Sequence, residues 1–352
     1  MTHTFSSLRQ RLRSLVSTDA AVPDQRAIRR RVNITDFSFS ASPIMLLSGT
    51  SNPALAKGIS EVLGEPLCDV TIERFADGEI FVRINENVRG RDVFLIQSTN
   101  PPAENILELL CLIDAAKRAS AARVTAVVPY YGYGRSDRKD QPRVSIAAKL
   151  MANLITAAGA DRVLSIDFHQ HQIQGFFDIP VDHLYSSPVF RPYYETKKLE
   201  NLVVVAADVS AAKMARGYAR RLGGDLAIID KRRPAPNEAE VSNIVGDVEG
   251  KHCLIPDDMI DTAGTMASTV EVLRERGAID TYILATHALF SGPAVERLLN
   301  AGATEITVTD TIPLAPEKIE ALPILRVLSV ANLLAQAIKS THANSSVSKL
   351  FN

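Results

Sequence analysis

The most informative stretch of the sequence is residues 253–265, which read CLIPDDMIDTAGT. A short apolar run predicts a strand, two adjacent carboxylates follow at Asp257 and Asp258, and a Thr-Ala-Gly-Thr loop then opens a helical pattern. Such a loop offers backbone N–H groups, two hydroxyls and a helix N-terminus, an arrangement that holds phosphate. The two carboxylates can accept hydrogen bonds from sugar hydroxyls. The alternative is an acidic turn followed by an ordinary helix cap.

The surrounding chain places this stretch in an α/β fold. From Ile44 onward, short β-rich runs alternate with helical patterns, and most runs end in a polar or glycine-containing loop. That alternation is typical of βαβ units and predicts mainly parallel sheets. The clearest predicted strands are Val93–Ile96, Val124–Val128, Arg162–Ile166, Leu202–Ala206, Leu226–Ile229, Cys253–Ile255 and Tyr282–Ala285.

Helices are predicted between these strands from the spacing of apolar residues. One face carries Ile106, Leu109, Leu110 and Ile113, and a second helix carries Met266, Val270 and Leu273. Gly277 follows the second pattern and is well placed to end that helix.

Two parts of the chain, residues 93–131 and 253–290, follow the same plan of strand, polar loop, helix, small-residue turn and strand. We therefore predict two similar domains, each a mainly parallel sheet flanked by helices. A Pro- and Tyr-rich segment, Ser186–Tyr194, interrupts the pattern. It sets the predicted domains at residues 44–188 and 189–352.

The first 43 residues differ from the rest, since they hold seven Arg, no Lys and only three acidic residues. A flexible extension is the simplest interpretation. The same composition is typical of a transit peptide, and Met45 is a third possibility as the true start of the protein. The sequence does not separate these three interpretations.

Composition excludes several classes of protein. The 352 residues carry 39 Lys and Arg against 40 Asp and Glu, so the electrostatic footprint of a nucleic-acid binder is absent. Three widely spaced Cys predict neither a disulfide framework nor a cysteine zinc site. No apolar run approaches the roughly 20 residues that span a bilayer. We expect a cytoplasmic protein with no nucleic-acid or membrane partner, organelle import being the minor alternative.

Polar residues collect at the ends of the predicted strands, where open parallel sheets bind their ligands. They include His169 after Ile166, Asp208 after Ala206 and Lys231 after Ile229. The run Pro129–Arg138 follows another strand and contains Gly132, Gly134 and Arg135. No GxxxxGK[ST] string occurs in the sequence, so a nucleotide would have to be bound without a P-loop.

The run Asp257–Thr265 resembles the phosphoribosyl-pyrophosphate signature of the type I phosphoribosyltransferase fold. Beyond that run the chain resembles the ribose-phosphate pyrophosphokinase family from about Leu46 to Phe351. The strings that carry the resemblance are Ser51–Ala56, Arg74–Glu79, Ile96–Thr99, Pro129–Arg138, Gln172–Asp178, Ile229–Pro234, Asn243–Gly246 and Ser291–Arg297.

The resemblance implies a reaction in which ribose 5-phosphate and Mg-ATP give 5-phosphoribosyl 1-diphosphate and AMP for nucleotide biosynthesis. It implies Mg²⁺ as cofactor, ATP and ribose 5-phosphate as the small-molecule partners, and dimers that assemble into a homohexamer. It also implies two domains of the phosphoribosyltransferase type.

The resemblance further implies a role for individual residues. Asp77, Gly78, Glu79, Arg135 and Ser136 match ATP-binding positions, and His169 and Asp208 match metal-binding positions. Lys231 and Arg233 match the catalytic flexible loop. The ribose 5-phosphate site matches Arg233, Asp257, Asp258, Asp261, Thr262, Ala263, Gly264 and Thr265. Cationic side chains and Mg²⁺ suit diphosphoryl transfer because charge accumulates on the phosphate oxygens.

One departure from the family pattern bears on function. Family members place two glycines shortly after the metal-binding Asp, whereas Asp208 is followed by Val209, Ser210 and Ala211. Side chains there disfavour positive φ angles and a close approach of backbone to ligand. A catalytically weak regulatory homologue is therefore the alternative to an active diphosphokinase. A phosphoribosyltransferase that consumes the same sugar is a third hypothesis.

Overall fold

The computed structural model describes residues 43–232 and 241–351. The predictions for residues 1–42 and for Arg233 lie outside these residues. Within them, two large sheets are covered by helices and a two-stranded hairpin extends from the first. An α/β fold with two mainly parallel sheets was predicted, and it is confirmed.

The first sheet has five strands, all parallel to their neighbours. In spatial order they are β1 (Ile44–Ser48), β4 (Asp92–Ile96), β5 (Arg123–Val128), β6 (Arg162–Ile166) and β7 (Val181–Leu184). The antiparallel hairpin consists of β2 (Val70–Arg74) and β3 (Ile80–Ile84). The helices of this half are α1 (Pro53–Leu63), α2 (Glu104–Arg118) and α3 (Ala147–Ala158), with a short 3₁₀ helix at His171–Phe176.

The second sheet has seven strands, and all neighbours are parallel except the first pair. In spatial order they are β10 (Val241–Val245), β9 (Asp225–Arg232), β8 (Leu202–Ala206), β11 (His252–Ile260), β12 (Asp280–Ala288), β13 (Glu305–Thr309) and β14 (Leu325–Leu328). The helices that follow in the chain are α4 (Ser187–Lys197), α5 (Ala212–Leu222), α6 (Gly264–Glu275), α7 (Ala294–Ala301), α8 (Pro316–Ala321) and α9 (Ala331–His342), and a 3₁₀ helix spans Val347–Phe351.

The central strands are buried on both faces, as expected for parallel strands covered by helices on each side of the sheet. All five residues of β4, of β8 and of β13 are buried. The predicted helix faces point inward, with Ile106, Leu109 and Ile113 buried in α2. The chain turns out of α6 at Gly277, whose φ of 81° is left-handed, as predicted for a helix stop.

Strand β11 is longer than the sequence indicates. The predicted strand ends at Ile255, whereas the observed one runs to Ile260 and pairs Asp257 with Ala285 of β12. The acidic pair, predicted to follow the strand, therefore lies within it. The neighbouring strand β12 continues to Ala288 and keeps β11 extended beside it.

The C-terminal helix returns to the first sheet. Ala331, Leu334 and Ile338 of α9 pack with Leu55 and Ile59 of α1 in one buried cluster. Residues 331–351 thus lie outside the core of the second sheet, although the predicted second domain includes them. Helix α4 begins at Ser187 and buries its aromatic side chains against β8, so the second core starts beside the predicted boundary.

None of the helices that the structure describes is both long and apolar enough to cross a bilayer.

Candidate active site

A cavity of about 410 Å³ lies at the carboxyl ends of strands from both sheets. The first sheet contributes the segment after β6 and a single arginine after β5. The second contributes the ends of β8 and β11 and the start of α6. The predicted site residues on its walls are Arg135, His169, Asp208, Asp257, Asp258, Asp261, Thr262, Ala263, Gly264 and Thr265. The structure therefore brings ten predicted residues to one place.

The acidic pair meets His169 across the two sheets. Nδ1 of His169 lies 2.9 Å from Oδ2 of Asp258, which is buried. The hydrogen bond to Asp258 raises the pKa of His169. Burial opposes ionisation of Asp258, but the hydrogen bond and charge of His169 outweigh it and lower the pKa of that carboxyl. Asp258 is thus held as an ionised acceptor.

Asp257 behaves in the opposite way. Burial, followed by the charge of neighbouring Asp258, raises the pKa of Asp257 well above its usual value. The charge of Asp208 acts in the same direction. The neighbouring carboxyls Asp258 and Asp208 thus disfavour the ionised form of Asp257.

The loop before α6 has the geometry of an anion site. Ala263 adopts φ 60° and ψ 8° at the N-cap position, and no side chain caps the first turn of the helix. The leading N–H groups of a helix have no intrahelical partner, and the helix dipole makes this end electropositive. Thr262 to Thr265 line the cavity at this point. A phosphate group fits such an end of a helix.

In the loop after β8, which departs from the family pattern, Asp208 accepts hydrogen bonds from the residues that follow it. Oδ1 of Asp208 accepts hydrogen bonds from Oγ of Ser210 at 2.6 Å and from the N–H of Ala211 at 2.9 Å. Ala211 has φ −75° and ψ −8°, a right-handed helical conformation that an alanine adopts without strain. The missing glycine at this position therefore does not prevent the loop from forming.

Arg135 connects the two halves of the site. Its Nη1 lies 2.7 Å from Oδ2 of Asp261 in the second sheet's loop. A hydrogen bond from Ser291, and then the one from Arg135, lower the pKa of Asp261. Arg135 also borders a second cavity of about 280 Å³, which Ser136, Tyr130 and Leu289 help to line. Of the predicted nucleotide pair, Arg135 thus borders both cavities and Ser136 borders the second.

The predicted ATP-binding residues between β2 and β3 do not line this cavity. Asp77, Gly78 and Glu79 form an exposed turn between β2 and β3, where Gly78 has φ 94°. They line neither of the two cavities just described. Lys231 lies in β9, and the described residues do not include Arg233.

Two further residues, Ser291 and His287, support the site, and neither was predicted to do so. Ser291 donates its backbone N–H to the carbonyl of Asp261 at 2.8 Å. His287 is buried between the sheets, with Nδ1 2.9 Å from Oγ1 of Thr311 and its ring against Tyr130. A histidine shortly after the predicted strand Tyr282–Ala285 was the available signal for His287.

Comparison with known proteins identifies the family. The model of the N-terminal domain of ribose phosphate pyrophosphokinase matches residues 44–159, and that of the phosphoribosyl synthetase-associated domain matches residues 231–352. Ribose-phosphate pyrophosphokinase of Chlorobaculum tepidum is 52% identical over 314 residues, covering 88% of this chain and 95% of the relative. The chloroplastic ribose-phosphate pyrophosphokinase 2 of Spinacia oleracea is 52% identical and covers 89% of this chain and 80% of its own.

A solved structure agrees with these sequence matches. Phosphoribosylpyrophosphate synthetase from Mycobacterium smegmatis superposes with a TM-score of 0.80 at 44% identity. The superposition covers 86% of this chain and 100% of the other.

Two mainly parallel sheets with helices on their faces place the molecule among α/β proteins of the phosphoribosyltransferase-like class. Within that class, the chain belongs to the ribose-phosphate pyrophosphokinase family. It is therefore an enzyme, and the predicted diphosphokinase class is confirmed.

Proposed function

We propose that this protein transfers the β,γ-diphosphoryl group of Mg-ATP to the 1-hydroxyl of ribose 5-phosphate. The products are 5-phosphoribosyl 1-diphosphate and AMP, and the sugar diphosphate supplies nucleotide biosynthesis. The observation that carries the proposal is the meeting of Arg135 and His169 with the acidic pair and the Thr262–Thr265 loop in one cavity. The wall that contains Arg135 suits a nucleotide, and the wall formed by the acidic pair and the Thr262–Thr265 loop suits a phosphorylated sugar.

The sugar half of the proposal rests on the end of β11 and the start of α6. The 5-phosphate binds the N–H groups and hydroxyls of Thr262–Thr265, where the helix dipole favours an anion. Asp257 and Asp258 accept hydrogen bonds from the ribose hydroxyls. The ionised state of Asp258, held by His169, makes it the stronger acceptor.

The nucleotide half rests on Arg135 and its cavity. The guanidinium pairs with Asp261, and the Arg135 side chain is more than half exposed. ATP phosphates compete for that guanidinium, because phosphate also forms bidentate, charge-assisted hydrogen bonds with arginine. Asp77, Gly78 and Glu79 remain proposed ATP ligands on the strength of the resemblance alone.

The donor set is compatible with Mg²⁺. Among residues 43–232 and 241–351, no cluster of three His, Cys, Asp or Glu can hold a metal by itself. Mg²⁺ commonly keeps several waters and binds through one or two protein ligands plus substrate phosphates, so a sparse protein set fits it. His169 and Asp208 would hold the ion beside the carboxylates. When bound, Mg²⁺ neutralises negative charge on the transferring diphosphoryl group.

Lys231 and Arg233 complete the proposal as cations that stabilise charge developing in the transition state. Lys231 lies in β9, two residues after the buried Ile229. Its role is proposed from this place in the sequence and from the family resemblance. The 1-hydroxyl attacks the β-phosphorus and releases its proton to solvent, the bond from that phosphorus to the α,β-bridging oxygen breaks, and AMP leaves.

The experiment that tests the reaction uses the full chain with ribose 5-phosphate, Mg²⁺ and ATP labelled at the β-phosphorus. Diphosphoryl transfer moves the label to the sugar and leaves unlabelled AMP. Label retained in ADP, or no product from the intact protein, would refute the proposal. Asp257→Asn is expected to lower turnover strongly, whereas Asp114→Asn, on the exposed face of α2, serves as the matched control.

Assembly and location stay predictions. We expect dimers that combine into a homohexamer, which sedimentation velocity of the purified chain will test. A cytoplasmic location is the expectation, and chloroplastic relatives occur in plants.

A further inference from the structure

The phosphate loop contains a backbone conformation that is unfavourable for its residue. Ala263 has φ 60° although it carries a Cβ, and its side chain is buried. A non-glycine residue pays a free-energy penalty in the left-handed region that lowers its population about 5- to 30-fold. Something in the surrounding structure must therefore keep Ala263 in this conformation.

A neighbouring segment holds the three peptide units that precede this position. The carbonyl of Ile260 accepts the N–H of Phe290 at 3.1 Å, and the carbonyl of Asp261 accepts the N–H of Ser291 at 2.8 Å. The carbonyl of Thr262 accepts Nη1 of Arg297, from α7, at 3.0 Å. The first two contacts are backbone to backbone, whereas the third depends on a side chain.

The third contact acts on the peptide unit that ends in Ala263. Because this unit is planar and trans, the N–H of Ala263 points in the direction opposite to the carbonyl of Thr262. Holding that carbonyl toward Arg297 therefore sets the direction of the N–H and biases φ of Ala263. A Cβ built on Gly264 would lie 3.5 Å from Nη1, so the guanidinium sits directly beside the start of α6.

We propose that Arg297 is a positioning residue that keeps the Thr262–Ala263 peptide in its left-handed, phosphate-binding arrangement. This inference rests on the proposed function, since it assumes that the loop binds the 5-phosphate of ribose 5-phosphate. Arg297 acts through the carbonyl of Thr262, so its effect falls on recognition of the phosphorylated sugar more than on the chemical step.

The test compares Arg297→Met in two backgrounds, the natural sequence and Ala263→Gly. Glycine adopts positive φ without the Cβ penalty, so it removes the need for an external hold. We expect Arg297→Met to raise the KM for ribose 5-phosphate about 5- to 30-fold, with a kcat change below about threefold. In the Ala263→Gly background, the KM increase caused by Arg297→Met should be smaller by at least about threefold.

Two control variants separate the positioning role from a general loss of positive charge and from misfolding. Arg221→Met removes an exposed arginine that also donates to a backbone carbonyl, that of Gly217, but within α5. It should leave the KM for ribose 5-phosphate unchanged. Arg297→Gln, which is too short to make the same contact, should reproduce Arg297→Met, and thermal unfolding will show that both variants at this position are folded.

Two results would overturn the inference. An unchanged KM in Arg297→Met would show that the contact does not matter. An equal KM increase in both backgrounds would show that Arg297 binds the phosphate directly instead of positioning the loop. Failure of the unmodified protein to form AMP and the sugar diphosphate would instead refute the proposed function.

Discussion

Acidification should destabilise this protein through one partly buried histidine next to the site. His183 of β7 accepts the backbone N–H of Phe168 on Nε2 at 3.0 Å, and Phe168 directly precedes His169. Burial lowers the pKa of His183 from its ordinary 6.5 to about 4, against the opposing charge of Asp167. A second proton on the ring would have to displace the N–H of Phe168.

The direction and size of this change in stability follow from proton linkage. The folded protein binds fewer protons than the unfolded chain below pH 6.5, so stability is fully present above pH 6.5 and is lost as the pH falls toward 4. Lowering the pKa of His183 from 6.5 to about 4 corresponds to about 3 kcal/mol in all, of which about 2 kcal/mol is lost by pH 5.

Urea unfolding followed by circular dichroism at pH 7.5 and pH 5.0 measures this loss. His183→Gln should be less stable at pH 7.5 but should lose about 2 kcal/mol less than the natural protein between the two pH values. The buried ring of His287, whose pKa burial also lowers, is present in both proteins and cancels in the comparison.

Ile173→Val provides the matched control, because it removes a buried methylene from the core cluster that contains Phe168 without changing a titratable group. It should lower stability by about 0.5–1.5 kcal/mol at both pH values. If His183→Gln and the natural protein lose stability equally between pH 7.5 and 5.0, the reasoning about His183 is wrong.

Three further predictions concern the site and the core. Asp258→Asn should lower kcat/KM for ribose 5-phosphate about 10- to 100-fold, because it removes the charged partner of His169. Steady-state assays at saturating Mg-ATP will check this. An unchanged kcat/KM would count against the acidic pair as a sugar ligand. Lys231→Ala should lower kcat about 100- to 1000-fold with little change in substrate binding. Single-turnover and binding measurements test it, and weaker binding at unchanged turnover contradicts a transition-state role. Phe94→Ala, at a fully buried position of β4, should cost about 3–5 kcal/mol of unfolding free energy, and a loss under about 1 kcal/mol in urea titration would be inconsistent with its burial.

The strands could be predicted well where local pattern and burial agree. Arg162–Ile166 and Leu202–Ala206 are observed with the predicted bounds, since both are short apolar runs between polar loops. The strand predicted for β11 was too short. The last residues of β11, including Asp257, look polar locally but are kept extended by pairing with β12. The packing of α9 on α1 also depends on the tertiary fold, because an amphipathic face does not specify its partner.

The sequence by itself determined the α/β class, the strand-end positions of the polar residues and the family, because strand and helix periodicities and motif strings are local properties of the chain. Only the tertiary structure decided which of those residues meet. His169 and Asp258 are 89 positions apart, Arg135 and Asp261 are 126 apart, and both pairs form because two separate sheets present their carboxyl ends to one cavity. The contact of Arg297 with Thr262 belongs to the same category: it joins a helix to a loop 35 positions away, and no local pattern encodes the distance between them.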